Sequence, residues 1–442
     1  MSLGRRAGGV MRCSIAILLA TMSVVLPGSG RCDSRGSTSE SSVCLRGVSV
    51  FDVHSGRMSD PMDVVIAGDR ISDIREAGSS EAADRIIDAS GKYVIPGLCD
   101  SHTHLSFLLP KGLGEVREQL ASFVHHGVMY VRDVGGPIDV VASLRRQIDS
   151  GALLGPSISY TGPMLESSPL RWVEFNEQLP GFTVALDGRS DVDKVVPKLA
   201  AEGATLIKTF NNLDPDLYPY VVAVARAQGL KIVHDVGRPL FSWVSLEDAL
   251  KMGVTSFEHC EGAWAFVLED ALRERCTRLN GPAADDDQQQ ALLTEIAEMG
   301  TAAISERRVD ELATRMIRAG AVVCPTLIVY GAPQQDDADV NQSEEERQAR
   351  AARQQLLARI GAIGSDIVRE LSAQGVMLLV GQDGEDPEAT LQEMKRLAEA
   401  GVSEVEILRA ATLYPASWLG LTKDRGSVET GKVADLVLLN SN

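Results

Sequence analysis

The chain has 442 residues, a formal net charge of −18, 44% hydrophobic residues and seven cysteines. That length holds one large barrel domain or about two to three ordinary ones, and the composition is globular rather than disordered or fibrous. The negative balance excludes nucleic acid as a partner, because phosphate binding needs a basic footprint; runs such as Asp285-Asp286-Asp287 and Glu344-Glu345-Glu346 serve solubility instead.

Residues 1–30 read as a secretory signal. Arg5, Arg6 and Arg12 give a basic start, Ser14 to Leu26 is a mostly apolar run, and Pro27-Gly28-Ser29-Gly30 supplies small residues for cleavage. The run is short for a membrane span. It predicts export, periplasmic or secreted, with no stable membrane insertion after signal cleavage. Met11 offers an alternative start, and Arg31 before Cys32 argues against lipid attachment. Residues 31–42 form a Ser-rich flexible linker. Cys32 and Cys44 flank it and can pair in an oxidising compartment, whereas Cys99, Cys260 and Cys324 lie in apolar runs and read as buried thiols.

From Val43 to about Ile87, short alternating runs punctuated by Gly and Asp predict a small antiparallel β unit, assigned to residues 43–92. Eight strand-like runs follow: Tyr93–Cys99, Val128–Arg132, Ser157–Thr161, Thr205–Lys208, Lys231–His234, Thr255–His259, Ala321–Thr326 and Val376–Val380. Helical patterns separate most of them, among them Glu115–His125, Ser190–Glu202, Pro215–Gln228, Ser245–Met252, Glu306–Ala319 and Leu356–Gln374. Ser245 with Asp248 fits a capping box. Eight βα units predict a closed (β/α)8 TIM barrel over residues 93–420. The last helices run through Pro387–Ala400 and Ser403–Leu413, and a strand pattern returns at Ala434–Leu439. Residues 421–442 are therefore expected to join the N-terminal β unit, so that both chain ends build one small β-sandwich subdomain.

The ionisable residues fall at strand ends. His102 and His104 follow the first strand, and their spacing on an extended chain turns both imidazoles to one side. Lys208 ends the fourth strand, His234 the fifth and His259 the sixth; Asp383 follows the eighth. In a parallel barrel these ends meet on the face where active sites are built. Six candidate ligands converging there predict a metal site. His125 and His126, at a helix end before Gly127, suit the helix dipole instead. Arg238 and Tyr330, on the loops after strands five and seven, are candidates for holding a substrate carboxylate; Trp264 and Arg132 lie near strand ends too, and packing explains each equally well.

Val94-Ile95-Pro96-Gly97-Leu98-Cys99-Asp100-Ser101-His102-Thr103-His104 resembles the opening strand of the amidohydrolase superfamily. Ala411-Thr412-Leu413-Tyr414-Pro415-Ala416, Gly426-Ser427-Val428 and Gly431-Lys432-Val433-Ala434-Asp435-Leu436-Val437 resemble its closing segment. Val131-Arg132-Asp133 and Gly155-Pro156-Ser157 are similar to stretches of its imidazolonepropionase-like and prolidase-like branch, which includes dipeptidases. The resemblance implies a barrel with a β-sandwich and two divalent metal ions, zinc foremost. It implies that His102, His104 and Asp383 bind the more buried ion, that His234 and His259 bind the other, and that Lys208, carboxylated on its amine, bridges the two. Gln382 departs from the threonine expected before the aspartate, the segment after Thr161 lacks a Gly-Gly-His, and the chain reaches Asn442 before the resembled sandwich would end.

The expected function is hydrolysis of a C–N amide or peptide bond in a small molecule, a dipeptide or N-acyl amino acid. Two metals sharing a hydroxide would activate it, with Asp383 as general base and then acid. The alternatives are a hydrolase of cyclic amides such as an imidazolone or lactam, a mononuclear deaminase, and a metal- or ligand-binding protein without catalysis. A homo-oligomer is compatible with the sequence.

Overall fold

The computed structural model describes residues 41–79, 83–236, 241–281, 284–330 and 343–441. The expected signal peptide, the linker up to residue 40 with Cys32, and Arg238 lie outside the described residues. No described helix is long and apolar enough to cross a membrane. The chain divides into two compact units, one of them built, among the described residues, from those up to Ile95 together with Val428 onward.

In that unit, β1 (Ser42–Asp52), β2 (Arg57–Ala67) and β3 (Arg70–Glu76) form an antiparallel meander. β4 (Arg85–Asp88) and β5 (Tyr93–Pro96) pair in parallel with the other edge of β1. The C-terminal segment holds both ends of this sheet. Leu436–Leu439 neighbours β5, while just before it Val433 bridges Arg70, and the Ala434 N–H donates to the Asp69 carbonyl at 2.8 Å. One segment at both edges curls the sheet into a small sandwich around Val48, Val64, Ile71 and Val94. The driving force is ordinary burial of β-branched side chains on the inward pleat.

The second unit, Pro96–Ser427, carries the barrel. Its strands are β6 (Leu98–Thr103), β7 (Val128–Asp133), β8 (Ser157–Tyr160), β9 (Met164–Glu166), β10 (Thr183–Ala185), β11 (Leu206–Thr209), β12 (Lys231–Asp235), β13 (Ser256–Glu258), β14 (Val322–Cys324) and β15 (Met377–Leu378). All pair in parallel, as β6-β7-β8 and β10-β9-β11-β12-β13-β14-β15. β8 and β9 share one place in the ring, interrupted at Thr161-Gly162-Pro163. The Thr205 N–H donates to Tyr160 O at 3.3 Å, and Lys208 pairs with Met164. The ring closes where the Ser101 N–H donates to Val380 O at 2.7 Å and Thr103 bridges Gly384. The fold is thus the expected (β/α)8 barrel, and Ser245 caps its helix by accepting the Asp248 N–H at 3.1 Å.

Three expectations shift. The run Tyr93–Cys99 is split: β5 belongs to the sandwich and β6 to the barrel, because Pro96 has no N–H to continue a ladder. The helix expected from Leu356 begins at Glu344. Its first turns, Glu-Glu-Glu-Arg-Gln-Ala-Arg-Ala-Ala-Arg-Gln-Gln, are strong helix formers without an apolar stripe, so periodicity does not reveal them. The segment between β8 and β11 holds β9, a short helix Val173–Gln178 and β10, none of them expected.

Closure leaves no room at Gly381. A Cβ there would lie 2.5 Å from Cys324 Sγ and 2.6 Å from His102 Cβ. Gly381→Ala is expected to cost about 1–3 kcal/mol, the usual range for overpacking, read as a lower midpoint in thermal or denaturant unfolding. An unchanged midpoint would refute this tight closure.

Candidate metal centre at the barrel mouth

Parallel strands buried on both faces alternate inward and outward by position. Leu206, Val233, Val322 and Cys324 share one apolar cluster and so mark the inward set. The ladder pairs Lys208 with Val233, Asp235 with Glu258, and Glu258 with Cys324. Lys208, Asp235 and Glu258 therefore point into the barrel with that set.

Below the mouth lies a buried ionic chain. The Arg132 guanidinium, 1% exposed, donates from Nη2 to Glu258 Oε1 at 2.7 Å and from Nη1 to Ser256 Oγ at 2.8 Å. Glu258 Oε2 is 2.6 Å from His102 Nδ1. Burial alone would raise the Glu258 carboxyl, but Arg132 and His102 outweigh it and hold it at about 2. An ionised Glu258 can only accept, so His102 Nδ1 carries a proton, and Nε2 is the nitrogen left to bind a cation when the ring is neutral. That Nε2 is buried, finds no hydrogen-bond partner, and faces Asp383 Oδ1 at 3.1 Å.

His104 repeats the arrangement. Its Nδ1 donates to the Gly135 carbonyl at 3.0 Å, leaving Nε2 at 3.3 Å from the same Asp383 oxygen. Gly135 permits this approach, since a Cβ would lie 2.8 Å from His104 Cε1. Asp133, pushed up to about 7 by burial, accepts the Leu105 N–H at 2.7 Å and so fixes the chain just after His104. Donor atoms of His102, His104 and Asp383 all lie within 4.8 Å of one another. Two imidazole lone pairs and a carboxylate brought together in a buried pocket repel unless a cation lies between them. Imidazole and carboxylate donors fit a divalent ion, so the residues present suit a metal.

Beside this triad, the Lys208 Nζ lies 3.0 Å from Asp235 Oδ2, and His259 Nε2 lies 3.4 Å from the same oxygen. His259 follows the inward Glu258 and would point outward in a regular strand. A left-handed backbone, φ 63°, turns it back, leaving its ring 5.0 Å from that of His102 and its Nδ1 hydrogen-bonded to Thr326 Oγ1 at 2.7 Å. Thr326 (φ 49°) and Asp383 (φ 64°) are left-handed too, and no other described non-glycine residue is. Such backbone costs about 1–3 kcal/mol per residue. All three lie where β13, β14 and β15 end.

His234 is not brought to this group, which corrects the expectation from its strand-end position. It stands beside Phe257 on the outward set, its ring 5.2 Å from Tyr218 and 6.3 Å from Phe257. Both its nitrogens are occupied, Nδ1 by Thr209 Oγ1 at 2.9 Å and Nε2 by Val244 O at 3.1 Å. The inward residue on β12 is Asp235, which sequence reading missed along with Glu258. A carboxylate inside an apolar run, as in Phe257-Glu258, is the signal that finds such residues. Tyr330 is buried against Gly361 rather than open to substrate, and Trp264 is fully buried.

Residues 244–442 match the Amidohydrolase family. A 74-residue segment is 36% identical to a 5'-deoxyadenosine deaminase of Methanothermobacter thermautotrophicus, and covers 17% of this chain and 17% of that protein. A 44-residue segment is 52% identical to an imidazolonepropionase of Streptomyces avermitilis, covering 10% of this chain and 11% of that protein. The chain thus matches well under two thirds of the length of these curated relatives. A crystal structure of a Xaa-Pro dipeptidase with bound methionine superposes with TM-score 0.66 at 22% identity, over 91% of this chain and 94% of that one, so the two share a fold.

Two predictions follow from the geometry. His102→Ala should abolish tight metal binding, whereas His234→Ala should keep it, as elemental analysis of purified protein would report; equal losses would return His234 to the centre. Arg132→Met strands a buried Glu258, so unfolding in denaturant should show a loss of about 3–5 kcal/mol. A loss under about 1 kcal/mol would remove that pair from its supporting role.

Proposed function

We propose that this chain, which belongs to the amidohydrolase family over residues 244–442, is a metal-dependent hydrolase that cleaves a C–N amide or peptide bond in a small molecule such as a dipeptide or N-acyl amino acid. The observation that carries the reading is the meeting of His102 Nε2, His104 Nε2 and Asp383 Oδ1 within 4.8 Å of one another at the barrel mouth. These three residues would hold one divalent ion, with zinc favoured by the imidazole donors. When bound, such an ion polarises a carbonyl oxygen and lowers the pKa of water.

The chain's own groups do the rest. Glu258 keeps His102 in the tautomer that presents Nε2. Asp383, at the end of the last strand, can take a proton from the attacking water and return it to the departing nitrogen. Lys208, carboxylated on Nζ, and His259 are the residues for a second ion. Carboxylation would turn an ammonium now paired with Asp235 into an anionic ligand, removing its repulsion of a cation. The fold shared with a Xaa-Pro dipeptidase supports a linear amide, while the segment similar to an imidazolonepropionase supports a cyclic one as the alternative. Export, read from residues 1–30, completes the proposal.

A second reading, a deaminase with one metal, is favoured by the Lys208–Asp235 pair, which already neutralises the second half of the mouth, and by the segment similar to a deaminase. Metal stoichiometry separates the two. The two-metal reading expects about two ions per chain after reconstitution with bicarbonate, and about one in Lys208→Ala. A single ion in the wild type with normal turnover by Lys208→Ala would leave the deaminase as the better account. In either case Asp383→Asn should lower kcat by about 10²–10⁴-fold, and near-normal turnover would remove Asp383 from the chemistry.

A further inference from the structure

Only 5% of the chain is aromatic, with nine Phe and four Trp. Five of these rings gather on one side of the barrel mouth, and they begin at a candidate metal ligand. Phe107 stacks on the His104 ring with centroids 5.2 Å apart. Phe182 lies 5.8 Å from His104 and 5.5 Å from Phe107. Phe175 packs 5.5 Å from Phe107, Trp172 packs 5.1 Å from Phe175, and Phe210 lies 6.3 Å from Trp172. Four of the five come from loops at the C-terminal ends of the strands: Phe107 follows β6, Trp172 and Phe175 follow β9, and Phe210 follows β11. That is the face where barrel loops meet substrate.

Along this series burial loosens toward Trp172. His104, Phe182 and Phe210 are buried, Phe107 and Phe175 half-buried, and Trp172, between Phe175 and Phe210, is 39% exposed beside Val173 at 52%. A loop built only for packing would turn its largest ring inward, since a Trp left partly exposed forgoes part of its burial energy. An apolar cluster that begins at a candidate ligand and ends in an exposed Trp at the mouth instead marks a place where another apolar group is received. Three of the five rings, Trp172, Phe175 and Phe182, lie in the segment between β9 and β10, an addition beyond the eight-strand plan.

We infer that this aromatic wall is the subsite for a bulky apolar group, an aromatic ring by preference, carried next to the scissile amide. The inference rests on the hydrolase reading above and names its substrate class. Edge and face contacts with Phe175 and Trp172 would hold such a ring while the amide reaches His102, His104 and Asp383.

The test uses amides that differ only by a benzyl group or a hydrogen on the acyl or the amine side, assayed with metal-loaded full chain. A benzyl group on one side should raise kcat/KM by about tenfold or more, the scale on which apolar pockets discriminate. In Phe175→Ala and Trp172→Ala that ratio should fall about tenfold, with metal content equal to wild type. A flat ratio in the wild type, or a ratio unchanged in both variants, overturns the subsite and leaves the hydrolase reading intact. If no amide is turned over, the hydrolase reading fails instead, and the wall is judged by calorimetric binding of 3-phenylpropionamide against acetamide. Binding tighter by tenfold or more, lost in both variants, upholds an aromatic subsite; equal binding overturns it.

Discussion

The Arg132–Glu258 ion pair inside the barrel is what the mouth depends on. Two opposite charges removed from water are tolerable only when each meets a partner and its remaining hydrogen-bonding groups are satisfied. Arg132 meets that condition with Glu258 and Ser256, and Glu258 spends its second oxygen on His102. Because the carboxylate stays ionised, the His102 ring has one orientation and one tautomer. Its Nε2 then faces Asp383 at 3.1 Å. A neutral glutamate would leave the ring free to flip, and the three acceptors would no longer be held against one another.

Above that pair, the chain stores strain where it needs precision. His259, Thr326 and Asp383 are the described non-glycine residues with left-handed backbone, and they close the same three strands. Regular strands would alternate their side chains and send His259 outward. The reversal at φ 63° puts it within 3.4 Å of Asp235 instead. The barrel supports this cost with tight packing, visible at Gly381 and Gly135, where any side chain would strike His102 or His104. Candidate residues held this way by a rigid ring are preorganised: little would have to move if a cation or a substrate arrived.

The additions to the barrel have a different character. The segment between β8 and β11 supplies aromatic rings rather than ligands, and the polar helix start at Glu344 supplies surface. The ring of strands fixes the chemistry, and loops of this kind vary what is presented to it.

The sequence by itself determined the barrel, its sandwich from both chain ends, and the side of the molecule where chemistry gathers. Those follow from eight apolar runs spaced by helices and from ionisable residues at their ends, which are local patterns and so legible in one dimension. Reading strand ends this way picks out His102, His104, Lys208, His259 and Asp383 as candidates, and the structure brings donor atoms of His102, His104 and Asp383 within 4.8 Å of one another. Which way each side chain faces was decided only by the tertiary structure. A strand buried on both faces reads as a continuous apolar run, Lys-Ile-Val-His-Asp in β12, and carries no alternation from which to read inward from outward. So His234 and Asp235, neighbours in sequence, came to face opposite sides once the ladder set the register, and the Arg132–Glu258 pair, 126 residues apart, existed only when the ring had closed.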